Sequence, residues 1–151
     1  MAGPALRRLL TGSVIAWAAL LPVAPFAASQ RAPAPLWYGL AFLVYGAGSL
    51  VCHQLPERSF YIGAAQMPVC ARCTGIYVGA ALAALLVGVR RKIGPTNSDR
   101  VRTLLAVAIL PTIVTLIYEW VTGDTPSNAV RAVAGAPLGA AVAFVVMSAV
   151  G

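Results

Sequence analysis

All three cysteines of the chain (Cys52, Cys70 and Cys73) and its only histidine, His53, lie within residues 52–73, CHQLPERSFYIGAAQMPVCARC. Cys70 and Cys73 are spaced i, i+3, which places both sulfurs on one side of a helix start. Cys52 and His53 arrive from the preceding segment. Three thiols and one imidazole make a Cys3His set, a recognised tetrahedral arrangement for zinc. Thiolates serve copper(I) or iron as well. Adjacent residues on a regular helix diverge by about 100°. Cys52 and His53 therefore reach one ion only if their helix ends there, an ending that Pro56 favours. If His53 turns away, water, Glu119 or another group must complete the shell.

The same residues permit other readings. A Cys-x-x-Cys pair at a helix N-terminus has a lowered thiol pKa, because the helix dipole favours thiolate. Arg72 adds positive potential, and Cys52 can act as a resolving thiol. A membrane protein with that chemistry would exchange electrons with a quinone. Cysteine is also often a small buried hydrophobe, which leaves a structural or transporter subunit open. Transport ordinarily places polar groups near mid-membrane, and few are found there.

Further polar residues accompany the motif. Arg58, Arg72 and Arg131 can recognise an anion bidentately, or each can pair with Glu57, Glu119 or Asp124. Glu119 is expected to approach Arg72 or Arg131, since a carboxylate near lipid is favoured when paired. Asn128 completes the set of polar candidates. No Gly-x-Ser-x-Gly, His-Glu-x-x-His or phosphate loop is present, so whether the chain is an enzyme stays open.

These side chains must be positioned by an unusually apolar scaffold. Of 151 residues, 60% are hydrophobic and 10% are charged, with mean hydropathy +0.83. Soluble domains carry about a quarter charged residues. No Asp, Glu, Lys or Arg occurs in 9–30, 32–56, 73–89, 103–118 or 132–151. Spanning a bilayer takes roughly 20 mostly apolar residues. The expected fold is an all-α polytopic transmembrane bundle of four or five helices, a single membrane domain over 1–151. Its helices are placed near 9–28, 36–52, 70–89, 101–121 and 131–150. The lipid bilayer is its partner. The net charge of +7 does not point to nucleic acid, because the basic residues sit at the ends of apolar runs, where headgroups and orientation signals place them.

Residues 9–28 also have the outline of a signal peptide, with Arg7 and Arg8 before the apolar run and Ala27-Ala28-Ser29 after it. The run is long for a signal core, so a retained helix is expected, kinked or ended by Pro22 and Pro25. Ser127 or Asn128 is expected to cap the last helix. Small residues recur every fourth position at Gly75, Gly79 and Ala83, and again at Gly135, Gly139 and Ala143. Such ridges let helices approach closely in lipid, which predicts contact between the third and fifth helices. Alternation of five spans puts 53–69 and 122–130 on one face and 90–100 on the other. Arg90, Arg91, Lys92, Arg100 and Arg102 favour a cytoplasmic location for the latter and an external cysteine face. By the same alternation Arg7 and Arg8 share the cysteine face and argue against that orientation.

CHQLPERSF and PVCARCTGIYVG together resemble the signature of a family of small prokaryotic membrane proteins known only as a domain of unknown function. The resemblance covers about residues 50–140. It extends to an acidic residue (Glu119), a Ser127-Asn128 pair, Arg131, Gly135 and Gly139. It implies that the two cysteine motifs form one site in a prokaryotic cell membrane, and it implies no activity. The leading expectation is a Cys/His metal site at one membrane face.

Overall fold

In lipid every backbone N–H and C=O must be satisfied within its own segment, which leaves the helix as the form available to a long apolar run. The computed structural model describes residues 3–29, 35–89 and 97–150. Its helices are α1 (Gly3–Ala28), α2 (Pro35–Val51), α3 (Ala71–Val89), α4 (Ser98–Thr122) and α5 (Asn128–Val150). Four of them, α1, α3, α4 and α5, are long and apolar enough to cross a membrane, and α2 is shorter at 17 residues. Large apolar side chains such as Leu36, Phe42, Leu50, Leu86 and Trp120 stand exposed on the outside of the bundle. That distribution suits hydrocarbon, where an outward-facing leucine costs nothing.

Helix ends follow local chemistry. Asn97 caps α4 by accepting the Asp99 N–H, and α4 stops at Gly123, whose φ of 73° is left-handed. Ser127 caps α5: its Oγ accepts the Val130 N–H at 3.3 Å and its carbonyl the Arg131 N–H at 3.1 Å. The helix α1 runs through Pro22 and Pro25 to Ala28, so neither proline ends it.

Residues 53–69 carry more structure than a connection. A 3-10 turn (Pro56–Arg58) leads into an antiparallel hairpin of β1 (Ser59–Ile62) and β2 (Ala65–Cys70). Gly63, at φ 60°, makes the turn. Ser59 pairs with Cys70. Cys70 therefore closes a strand and α3 begins at Ala71, one residue later than expected. Pro68 explains the extended approach, because a proline disfavours helical backbone in the residue before it.

The helices α3 and α5 are parallel and in close contact. A Cβ at Gly75 would strike the Ala132 carbonyl, and one at Gly79 the Ala136 carbonyl. From the other side, a Cβ at Gly135 would strike the Arg72 carbonyl, and one at Gly139 that of Ile76. The expected ridge contact is thus present, reciprocal and in register. The antiparallel α4 is tied to α5 by Thr112 Oγ1, which donates to the Ala134 carbonyl at 2.8 Å.

Helix α1 runs antiparallel to α3. Trp17 stacks edge-on against Tyr77 at 5.9 Å, and Leu21 packs with Cys52, Met67 and Val69. At the other end Arg7 donates to the Val87 carbonyl, and Gly3 faces the Val150 carbonyl. This corrects the placement of Arg7 and Arg8. They lie at the end of the bundle opposite the cysteines, with Arg100 and Arg102. The reason is that α2 does not add a crossing to the alternation. It docks on the hairpin, with Tyr45 OH donating to the Gln66 carbonyl, and returns the chain to the end where α1 finished. Arg90, Arg91 and Lys92 lie outside the described residues.

Candidate functional site

The three cysteines meet where α2, β2 and α3 converge. One ligand atom from each lies within 4.8 Å of the others, and all three thiols are free. Cys52 is buried; Cys70 and Cys73 are partly so. The Cys52 sulfur accepts the Cys70 backbone N–H at 3.1 Å, a contact that favours negative charge on sulfur. A hydrogen bond from the Cys73 side chain lowers the Cys70 thiol from its ordinary range to about 5. Leu21, Met67 and Val69 form an apolar wall around the group, with Trp17 and Tyr77 packed against it.

His53 has a different placement. The helix α2 ends at Val51, the ending that a shared ion would need, yet the His53 side chain is exposed and outside the sulfur group. The turn that follows accounts for this. Gln54 adopts a left-handed φ of 51° and inserts its own side chain, donating to the Tyr45 and Pro68 carbonyls at 2.9 and 2.7 Å. The glutamine, and not the histidine, points into the fold.

A second cluster lies on the α4–α5 side of the first turn of α3. Glu119 accepts from Arg72 at 2.8 Å and from Arg131 at 3.1 Å, and Arg58 stands 3.6 Å away. The side chains of Glu119 and Arg131 are 6% and 3% exposed. Burial on this scale is tolerable because both charges are paired. Arg72 also donates to Thr115 Oγ1 at 3.1 Å. Asn128 Nδ2 donates to the Ser59 carbonyl at 2.9 Å and joins α5 to the hairpin.

The expectation that Glu119 meets Arg72 or Arg131 is met by both arginines. Cys52, Cys70 and Cys73 come together, as do Arg58, Arg72, Glu119 and Arg131, while Asn128 sits beside them on the hairpin. The carboxylate is engaged by arginines and is not a fourth ligand for the sulfurs. Sequence reading passed over Thr112 and Thr115. Their signal is the spacing Thr112, Thr115, Glu119, one polar stripe on an otherwise apolar helix. It also passed over Gln54 and Gln66, which carry no periodic signal.

The family model described as "Predicted membrane protein (DUF2085)" matches residues 52–145. The chain belongs to this family. The matched DUF2085 segment begins at Cys52 and holds every residue of both clusters. An uncharacterised protein of Methanocaldococcus jannaschii is 29% identical over 125 residues, 83% of this chain and 80% of that protein. An uncharacterised protein of Methanothermobacter thermautotrophicus is 33% identical over 97 residues, 62% of this chain and 81% of its own length. No solved structure matches.

Proposed function

We propose that this DUF2085 protein binds a thiophilic metal ion through Cys52, Cys70 and Cys73 at one face of the membrane. The observation that carries the reading is the mutual 4.8 Å approach of the three sulfurs. Ligands around a zinc ion bonded at about 2.3 Å are separated by distances of this order. With His53 turned outward and Glu119 held by arginines, the fourth position is left to water, to a substrate or to a His53 that swings in. Three thiolates in an apolar wall suit zinc or copper(I), and iron less closely. Metal analysis of protein purified in mild detergent without chelator tests this, with about one equivalent per chain expected. Metal-free protein from metal-replete cells would sink the reading.

A second reading has its own support. The three thiols are free and adjacent, so a Cys70–Cys73 disulfide with Cys52 as resolving thiol is a short step away. Two electrons and two protons would pass to a quinone acceptor. Metal and disulfide compete for the same sulfurs, so stoichiometric metal counts against thiol cycling.

For orientation we infer an external cysteine face. Arg7, Arg8, Arg100 and Arg102 gather at the opposite end, and the positive-inside rule assigns such an end to the cytoplasm. With α1 antiparallel to α3, the N-terminal arginines and Arg100 and Arg102 support the same orientation.

A further inference from the structure

We infer that Arg58, Arg72 and Arg131 form a binding site for a phosphate-type oxyanion, separate from the sulfur group and independent of the metal reading. Three guanidiniums surround one buried carboxylate, Glu119. The other acidic contact is Glu57, 4.0 Å from Arg58 and 61% exposed. Positive charge is thus in excess where solvent screening is weakest. Burying unbalanced charge costs several kcal/mol per ion, and a bound anion offsets it.

The donors for such an anion are present. Arg131 is 3% exposed, and its Nε and Nη1 have no hydrogen-bond partner among the described residues. The same is true of Arg72 Nε. Buried donors of this kind are rarely left without a partner. Guanidinium forks match the paired oxygens of phosphate. The backbone adds to the field. Arg72 and Arg131 sit in the first turns of α3 and α5, whose N-termini lie side by side because the two helices are parallel and in contact. Each N-terminus contributes about half a positive charge, and the C-terminus of α4 at the same place offsets one of the two. Glu119 occupies the last turn of α4 and meets this field as the resident anion.

Access is from the membrane surface. Arg58 is 38% exposed and makes the longest of the three contacts to Glu119. It is the most exposed of the three arginines and can swing with a ligand. Trp120, 84% exposed beside Glu119, marks the depth of the lipid headgroups, where tryptophan concentrates. A headgroup phosphate and a free phosphate are both within reach, and they share one chemistry.

The experiment uses full-length protein in mild detergent and reads its unfolding temperature against inorganic phosphate, with chloride at matched ionic strength as control. Saturable stabilisation by phosphate and not by chloride is expected. Arg58→Gln should weaken it about tenfold, by loss of a charge-assisted contact. Arg58 is the chosen variant because its exposure lets the fold survive. Glu119→Gln removes the competing carboxylate and should tighten phosphate. In a second arm, native mass spectrometry compares phosphatidylglycerol with a glycolipid that lacks phosphate. Retention of phosphatidylglycerol alone, lost in Arg58→Gln, supports the site and names a lipid headgroup as the source. Equal responses to phosphate and chloride, with no selective lipid retention in wild type or Glu119→Gln, would overturn the inference. Cys70→Ser leaves the anion response unchanged if the two sites are separate, and its loss there would overturn that separation.

Discussion

Arg72 and Glu119, 47 residues apart in the chain, are joined by a 2.8 Å hydrogen bond between the first turn of α3 and the last turn of α4. Arg131 grips the other carboxylate oxygen from α5 at 3.1 Å. One side chain thus ties together the ends of three helices. The cysteines on the opposite side of that same turn of α3 inherit the position it fixes.

The tie should be energetically expensive to break. Arg131→Met removes one of the two arginines bonded to Glu119 while Arg72 stays in place, and losing that buried hydrogen bond should cost about 1–3 kcal/mol. Denaturation in detergent would measure it. Arg102 and Asp99 form an ion pair as well, 4.0 Å apart, but both are largely exposed, and Arg102→Ala should leave stability unchanged within error.

The α3–α5 seam should reject a single methyl group. Gly139→Ala drives a Cβ into the Ile76 carbonyl and forces the helices apart, at about 1–3 kcal/mol. Gly46→Ala in α2 meets nothing within 4 Å and should be neutral or slightly stabilising. Comparing the two variants in one denaturation series separates seam packing from helix propensity.

Metal content should divide the four candidate ligands unequally. Cys52→Ser, Cys70→Ser and Cys73→Ser should each lose bound metal, since removal of one thiolate breaks a small shell. His53→Ala should keep it, because the imidazole lies outside the sulfur group. Loss of metal in His53→Ala would mean that the histidine moves inward on binding.

Reactivity at Cys70 should be insensitive to pH in metal-free, reduced protein. With its thiol lowered to about 5, the thiolate is lost only as pH falls through that value. Alkylation of Cys70, read by peptide mass spectrometry, should change by less than about twofold between about pH 8 and pH 6. An ordinary thiol, with a pKa near 8.5, slows well over tenfold across that interval.

Intact cells test the orientation. After chelation and reduction, a membrane-impermeant maleimide should label Cys70 from outside, and a reporter fused after Val150 should behave as cytoplasmic. The opposite pattern reverses the assigned face.

Much of this was readable from the chain. The charge-free stretches gave five helices, because a hydrophobic run in lipid has few alternatives, although α1 begins at Gly3, well ahead of the expected residue 9. The Gly75–Gly79 and Gly135–Gly139 ridges gave the seam, and Cys52 with Cys-x-x-Cys gave the sulfur group. Three features were not legible. The hairpin 59–70 is too short to show a strand pattern against its apolar flanks, and only Gly63 hints at its turn. The outward rotation of His53 depends on the left-handed Gln54, a conformation that residue types do not announce. The direction of α1 depends on whether α2 adds a crossing, and at 17 residues its length leaves that choice to tertiary contacts.

The pairing of Glu119 from both sides bears on how the chain is made. Synthesis proceeds from α1 to α5, so Arg72 is already at its membrane face when Glu119 emerges, whereas Arg131 has still to be translated. A lone carboxylate entering the bilayer is costly. The earlier arginine can neutralise it during insertion, and the later one seals it once α5 arrives. The order of residues along the chain thus doubles as an assembly schedule. Its first partner acts as an internal escort, and its second locks the finished bundle.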